Sequence, residues 1–68
     1  MPLIHVSLIE GRSEEKIKNL IHNLTDTVAK TLDSPLPNIR VIVSEYPASH
    51  WGIEGKPASE VRKISNEK

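Results

Sequence analysis

Four residues of this 68-residue chain have types that can do chemistry: a proline in second position, Pro2, two arginines far apart, Arg12 and Arg40, and a single tryptophan, Trp51. An initiator methionine followed by a residue as small as proline is normally removed, and removal of Met1 would make the Pro2 nitrogen a free secondary amine. An α-amino group has a reference pKa near 7.7–8.0, and burial or nearby cations disfavour its charged form by about 1.4 kcal/mol per unit of depression. An amine brought towards neutrality is a competent general base, and the rigid ring fixes the direction of its lone pair. The plainer alternative is that Pro2 only opens a strand, where its missing N–H is harmless.

A guanidinium presents a rigid fork of donors to a carboxylate and keeps its proton throughout. Arg40 interrupts an apolar run and so requires a partner or a wet cleft. Arg12 precedes a helix and, read alone, also suits a solvated loop. Trp51 alone suits packing or an interface. His5, within a strand, reads as a hydrogen-bonded interface residue, His22 as solvated and His50 as a loop residue, while Tyr46 packs where a strand ends. With no cysteine and with histidines 17 and 28 positions apart, the chain offers neither disulfides nor a local metal motif.

The elements that must position these residues follow from pattern. Leu3 to Ile9 is an apolar run bounded by Pro2 and Glu10-Gly11, the mark of a buried strand with both faces covered. Ser13 is placed to cap a helix with Glu14 and Glu15 in its first turn. Ile17, Leu20, Ile21, Leu24, Val28 and Leu32 form the apolar stripe, and Lys16, Asn19, Asn23, Asp26 and Lys30 the wet one. Asp33-Ser34-Pro35-Leu36-Pro37-Asn38 ends the helix, since two prolines within three residues cannot continue it. Ile39 to Glu45 alternates with period two, a second strand, so the unit is βαβ with parallel strands and a right-handed crossover. Pro47 to Pro57 reads as a loop or short hairpin, and Ala58 to Lys63 as a helical turn capped by Ser59. Ser65 to Lys68 is expected to fray.

Residues 1–68 make one α/β domain on this reading, but an incomplete one. A single helix covers one face of a two-stranded sheet, and a chain this short buries too little apolar surface by itself. Two copies joined edge to edge would give four strands under two helices, and stacking such dimers would complete the burial in a closed symmetric oligomer. Nine basic and nine acidic residues leave no net charge, which argues against nucleic acid as a partner. No apolar run approaches the ~20 residues of a membrane span. The start carries no leader pattern, so a cytoplasmic location is expected.

Taken together and in order, Pro2-Leu3-Ile4, Ile9-Glu10-Gly11-Arg12-Ser13, Ile39-Arg40-Val41-Ile42 and His50-Trp51-Gly52-Ile53 resemble the 4-oxalocrotonate tautomerase family over about Pro2 to Arg62. The resemblance implies a homohexamer built as a trimer of dimers, with catalytic proline and arginines drawn from neighbouring subunits. It implies that Pro2 is the catalytic base, that Arg12 grips the distal carboxylate of a dicarboxylate substrate, and that Arg40 holds the other carboxylate with the 2-hydroxy or 2-keto oxygen. Trp51 falls where the family usually has phenylalanine, an apolar wall that keeps the amine neutral, and Ile9 at another apolar pocket position. Glu54 replaces a frequent glycine.

The function so implied is cofactor-free, metal-free keto–enol tautomerisation, a 1,3 or 1,5 proton transfer on a small unsaturated acid such as 2-hydroxymuconate, in a setting such as aromatic catabolism. Two alternatives remain open at this point. Hydratase or dehalogenase chemistry on unsaturated acids needs a water-activating carboxylate, for which Glu54 is the loop's candidate. A non-catalytic oligomeric acid-binding protein is the other.

Overall fold

The computed structural model describes residues 2–61. Its elements are strand β1 (Leu3–Ile9), helix α1 (Glu14–Leu32), strand β2 (Arg40–Tyr46), a hairpin of β3 (Gly52–Ile53) and β4 (Lys56–Pro57), and a terminal helical turn α2 (Ala58–Val61). One-turn 3-10 segments at Leu36–Asn38 and Ala48–His50 bracket β2. The expectations for Arg62, Lys63 and the last residues lie outside the described part.

β1 and β2 pair in parallel, from Leu3 opposite Arg40 to Ile9 opposite Tyr46, as the βαβ reading requires. Side chains alternate across this ladder. Ile4, Val6 and Leu8 with Val41 and Val43 lie on the face that α1 covers and are half-buried. Leu3, His5, Ser7 and Ile9 with Arg40, Ile42, Ser44 and Tyr46 form the opposite face. No element of the described chain lies over that side, and Leu3 stays 62% exposed and Ile42 49%. The sequence suggested that both faces of β1 are covered; among the described residues of a protomer only one is. β2 begins at Arg40, one residue later than its pattern suggested, because Ile39 closes the preceding turn with its N–H on the Leu36 carbonyl at 3.1 Å.

α1 starts as its sequence dictates. The Ser13 hydroxyl accepts the Lys16 N–H at 3.2 Å, and Glu14 and Glu15 occupy the positive end of the helix dipole. Its end is set before the prolines act. Asp33 takes a left-handed conformation (φ 58°), and the Ser34 N–H bonds back to the Ala29 carbonyl at 3.1 Å, so the helix is finished at Leu32. On the wet face Lys30 meets Asp26 at 3.1 Å, an exposed pair one turn apart. Ser59 does not cap the last turn: α2 already begins at Ala58, which leaves Ser59 inside it.

Very little of the protomer is interior. Among the described residues only Ile39 and Ala58 are buried. The dimensions are 42 × 24 × 16 Å, and the radius of gyration of 14.9 Å exceeds the roughly 11 Å of a compact chain this long. The protomer is a slab with one dressed side.

The β3–β4 hairpin turns on Glu54 and Gly55, with φ of 52° and 85°. Two consecutive positive φ values mark a type I′ turn, which favours Asn or Gly at its first position. A side chain with the bulk of glutamate is strained there by about 1 kcal/mol. Glu54→Asn is therefore expected to raise stability by about 0.5–1 kcal/mol. Denaturant unfolding at fixed protein concentration checks it, and a loss of stability would contradict the strain argument.

Candidate active site

The sequence-picked residues fall into two groups at opposite ends of the β1–β2 ladder. At the leading end, the Arg40 N–H donates to the Pro2 carbonyl at 3.1 Å, which ties the start of the chain to β2. Arg40 also pairs with Leu3 on the open face. Its guanidinium Nη1 donates to the Pro37 carbonyl at 2.7 Å and, more weakly, to that of Ile39 at 3.4 Å. The Pro35–Pro37 bend thus aims Arg40 without neutralising it.

The trailing end collects Ile9, Arg12 and Trp51. Ile9 lies opposite Tyr46, and the Glu10 N–H bonds to the Tyr46 carbonyl at 2.8 Å. The chain then turns at Gly11, whose φ of 132° suits glycine, and Arg12 folds back so that Nη1 donates to the Ile9 carbonyl at 2.7 Å. Trp51 follows the 3-10 turn after β2, its ring 6.3 Å from that of Tyr46 and tilted by 48°. Sequence reasoning placed Tyr46 as a packing residue but missed its place in this group. The available signal was its parity with Arg40 along β2 and its being the only other aromatic residue.

Both arginines share an electrostatic peculiarity. Among the described residues the only ion pair is Lys30 with Asp26, so neither guanidinium forms an ion pair with a described carboxylate, although Glu14 and Glu45 line the same groove as Arg12. Each is oriented by a backbone carbonyl and keeps further N–H donors for an anion. Positive charge held in place without a counter-charge is what recognition of a carboxylate ligand requires.

Within one protomer the two groups cannot cooperate. Seven residue steps separate Pro2 from Ile9, roughly 23 Å at ~3.3 Å per step, and Arg12 is fastened to the far end. The structure thus brings Pro2 to Arg40, and Ile9 to Arg12, but not the first pair to the second. A site containing Pro2 and Arg12 must be composite.

The remaining candidates stand apart. His5 bonds through Nε2 to the Ser44 hydroxyl at 2.9 Å on the open face, consistent with a hydrogen-bonded strand histidine. Glu54 sits at the hairpin tip, beside a shallow cavity of about 400 Å³ lined by Ile53, Lys56, Glu60 and Val61. A second groove, about 330 Å³, runs from Arg12 and Glu45 across Ile17 and Ile21 on the helix side. No cluster of potential metal ligands occurs among the described residues.

Sequence and fold both match one family. The family model described as "Tautomerase enzyme" covers residues 2–60. The 2-hydroxymuconate tautomerase of Pseudomonas sp. (strain CF600) is 43% identical over 63 residues, 93% of this chain and 100% of that one. A solved 4-oxalocrotonate tautomerase homologue of the tomaymycin biosynthetic pathway superimposes with a TM-score of 0.88 at 39% identity, covering 97% of this chain and 100% of the other. The heterohexameric 4-oxalocrotonate tautomerase of Chloroflexus aurantiacus J-10-fl does so at 0.86 and 35% identity, covering 91% and 100%. The chain belongs to the tautomerase family, enzymes of the isomerase type, and its structural neighbours are 4-oxalocrotonate tautomerase homologues. No helix among the described residues is long and apolar enough to cross a membrane.

If the two guanidiniums are the carboxylate anchors, each contributes charge-assisted hydrogen bonds worth about 1.5–3 kcal/mol. Arg12→Gln and Arg40→Gln are each expected to weaken binding of the saturated dicarboxylate adipate about tenfold or more. Titration calorimetry reads this directly, and unchanged affinity in either variant would remove that arginine from the site.

Proposed function

We propose that this protein catalyses keto–enol tautomerisation of a small unsaturated 2-hydroxy or 2-keto dicarboxylate such as 2-hydroxymuconate, with Pro2 as general base once Met1 has been removed. The supporting observation is the pair of guanidiniums, Arg40 and Arg12, each held by a backbone carbonyl and in no ion pair among the described residues, at the two ends of the sheet, with Pro2 beside the first. The reaction only relocates a proton and redistributes a conjugated π system, so it consumes no oxidant, reductant or cofactor.

The steps follow from charge. The Pro2 nitrogen takes the proton of the 2-hydroxyl group and leaves a dienolate whose negative charge gathers on that oxygen. The protonated amine then returns the proton to carbon 3 or carbon 5. Arg40 holds the adjacent carboxylate and faces the developing oxyanion, where an oriented donor contributes about 3–4 kcal/mol by analogy with an oxyanion hole. Arg12 grips the distal carboxylate, so its binding energy orients the chain of double bonds over the base. Ile9 and Trp51 supply the apolar wall that disfavours the ammonium form of Pro2.

Assembly is part of the proposal. An antiparallel, two-fold edge pairing of sheets sets the leading end of one protomer beside the trailing end of the next, which brings Pro2 within reach of a neighbour's Arg12. Stacking such dimers through the open face buries Leu3 and Ile42. The expected product is a homohexamer, a trimer of dimers, acting in the cytoplasm on a small-molecule acid. The geometry lends the Glu54 alternative no support: the residue stands at the tip of the β3–β4 hairpin, with no hydrogen bond or ion pair to either arginine among the described residues.

Two outcomes test the reading. Intact mass of active protein should lack one methionine, and Pro2→Ala, which keeps a terminal amine but makes it primary and mobile, should lower kcat at least about tenfold while leaving the oligomer intact. Full retention of Met1 in active protein contradicts the mechanism. Mixing unfolded Pro2→Ala and Arg12→Ala chains in equal amounts and refolding them should restore about a quarter of wild-type activity, because random assembly leaves that share of two-chain sites intact. No recovery means that both residues act from the same chain.

A further inference from the structure

The chain has two aromatic side chains, Tyr46 and Trp51, and the fold sets them against each other at a centroid separation of 6.3 Å and a tilt of 48°. That geometry lies within the favourable range for aromatic pairs. The two are held very differently. Tyr46 ends β2, in register with Ile9, and its carbonyl accepts the Glu10 N–H at 2.8 Å, so its backbone belongs to the rigid ladder. Trp51 lies beyond the ladder, between a turn and a two-residue strand. Its N–H reaches the Ala48 carbonyl at 3.3 Å and its carbonyl accepts the Ala58 N–H at 2.7 Å. Those bonds hold the Trp51 backbone only. Among the described residues neither the indole N–H nor the Tyr46 hydroxyl has a hydrogen-bond partner, so ring packing carries the orientation of the indole.

We infer that Tyr46 is a positioning residue of the substrate-binding wall, clamping Trp51 from the end of β2 and thereby setting substrate affinity. The inference rests on the tautomerase reading above, in which Trp51 lines the pocket. Tyr46 stands in the same trailing group as Arg12, whose guanidinium is fixed on the Ile9 carbonyl directly across the ladder. An indole already held in place is ordered before the substrate arrives, whereas a mobile one must be immobilised during binding. The difference falls on KM more than on kcat, because a looser indole still lines the pocket and keeps the surroundings of Pro2 apolar, while its ordering is added to the cost of binding. The ring is the active part of Tyr46, and phenylalanine should replace it.

The test is a double-mutant cycle with 2-hydroxymuconate as substrate. Tyr46→Leu should raise KM about fivefold, equivalent to about 1 kcal/mol at 1.4 kcal/mol per tenfold, with kcat within about twofold. In a Trp51→Ala background the same substitution should change KM less than about twofold, because the clamp then has nothing to hold. Tyr46→Phe should behave as wild type in both respects. An equal rise of KM in both backgrounds, or a Tyr46→Phe variant as poor as Tyr46→Leu, overturns the inference. Trp51 is the sole tryptophan, so its emission gives a readout independent of turnover. Tyr46→Leu should shift it to longer wavelength and increase acrylamide quenching, and an unchanged spectrum also overturns the inference. A wild-type protein without tautomerase activity would refute the proposed function, while the emission arm would still decide whether Tyr46 holds Trp51.

Discussion

An apolar sheet face that its own chain does not cover governs the rest of this molecule. One helix can dress one side of two strands, and α1 does so over Ile4, Val6, Leu8, Val41 and Val43. The other side carries Leu3, Ile9, Ile42 and Tyr46. With only Ile39 and Ala58 buried among the described residues, the protomer has almost no interior from which to draw stability. In the proposed assembly, further apolar burial comes from other copies of the chain. The same incompleteness shapes the site, because the residues suited to catalysis lie at ladder ends, where copies in a symmetric assembly can meet.

In the proposed mechanism, catalytic competence follows from how the charges are held. Arg12 and Arg40 are each restrained by a carbonyl 2.7 Å away rather than by an acid. A carboxylate partner would have oriented them equally well and cancelled the charge they offer. Carbonyl tethering fixes direction while leaving the positive potential for a ligand, which suits the proposed pocket for two carboxylates and an oxyanion. A neutral amine base gains from the same arrangement, since cations nearby disfavour its protonated form.

Much of the local structure was legible. The span of β1, the Ser13 cap, the apolar stripe of α1 and the parallel βαβ order all follow from periodicity and end signals. The stop of α1 before Asp33 was legible too, although the backbone step that makes it, a left-handed conformation that a short polar side chain tolerates, was not. The misreadings have physical causes. Ser59 looked like a cap by residue type alone, yet the hairpin delivers Ala58 into the turn first. The contact between Tyr46 and Trp51 depends on how the Ala48–His50 turn reverses the chain, which composition does not encode.

By itself the sequence determined the residue types able to move a proton and hold carboxylates, the order of the elements, and the need for partners, since these rest on chemical identity, short-range periodicity and total apolar surface. Only the tertiary structure decided that Pro2 and Arg40 share one end of the ladder while Ile9, Arg12 and Trp51 share the other. A parallel ladder carries each strand's start and finish to opposite ends, so Pro2 and Ile9, seven residue steps apart, stand roughly 23 Å apart along the sheet at ~3.3 Å per step.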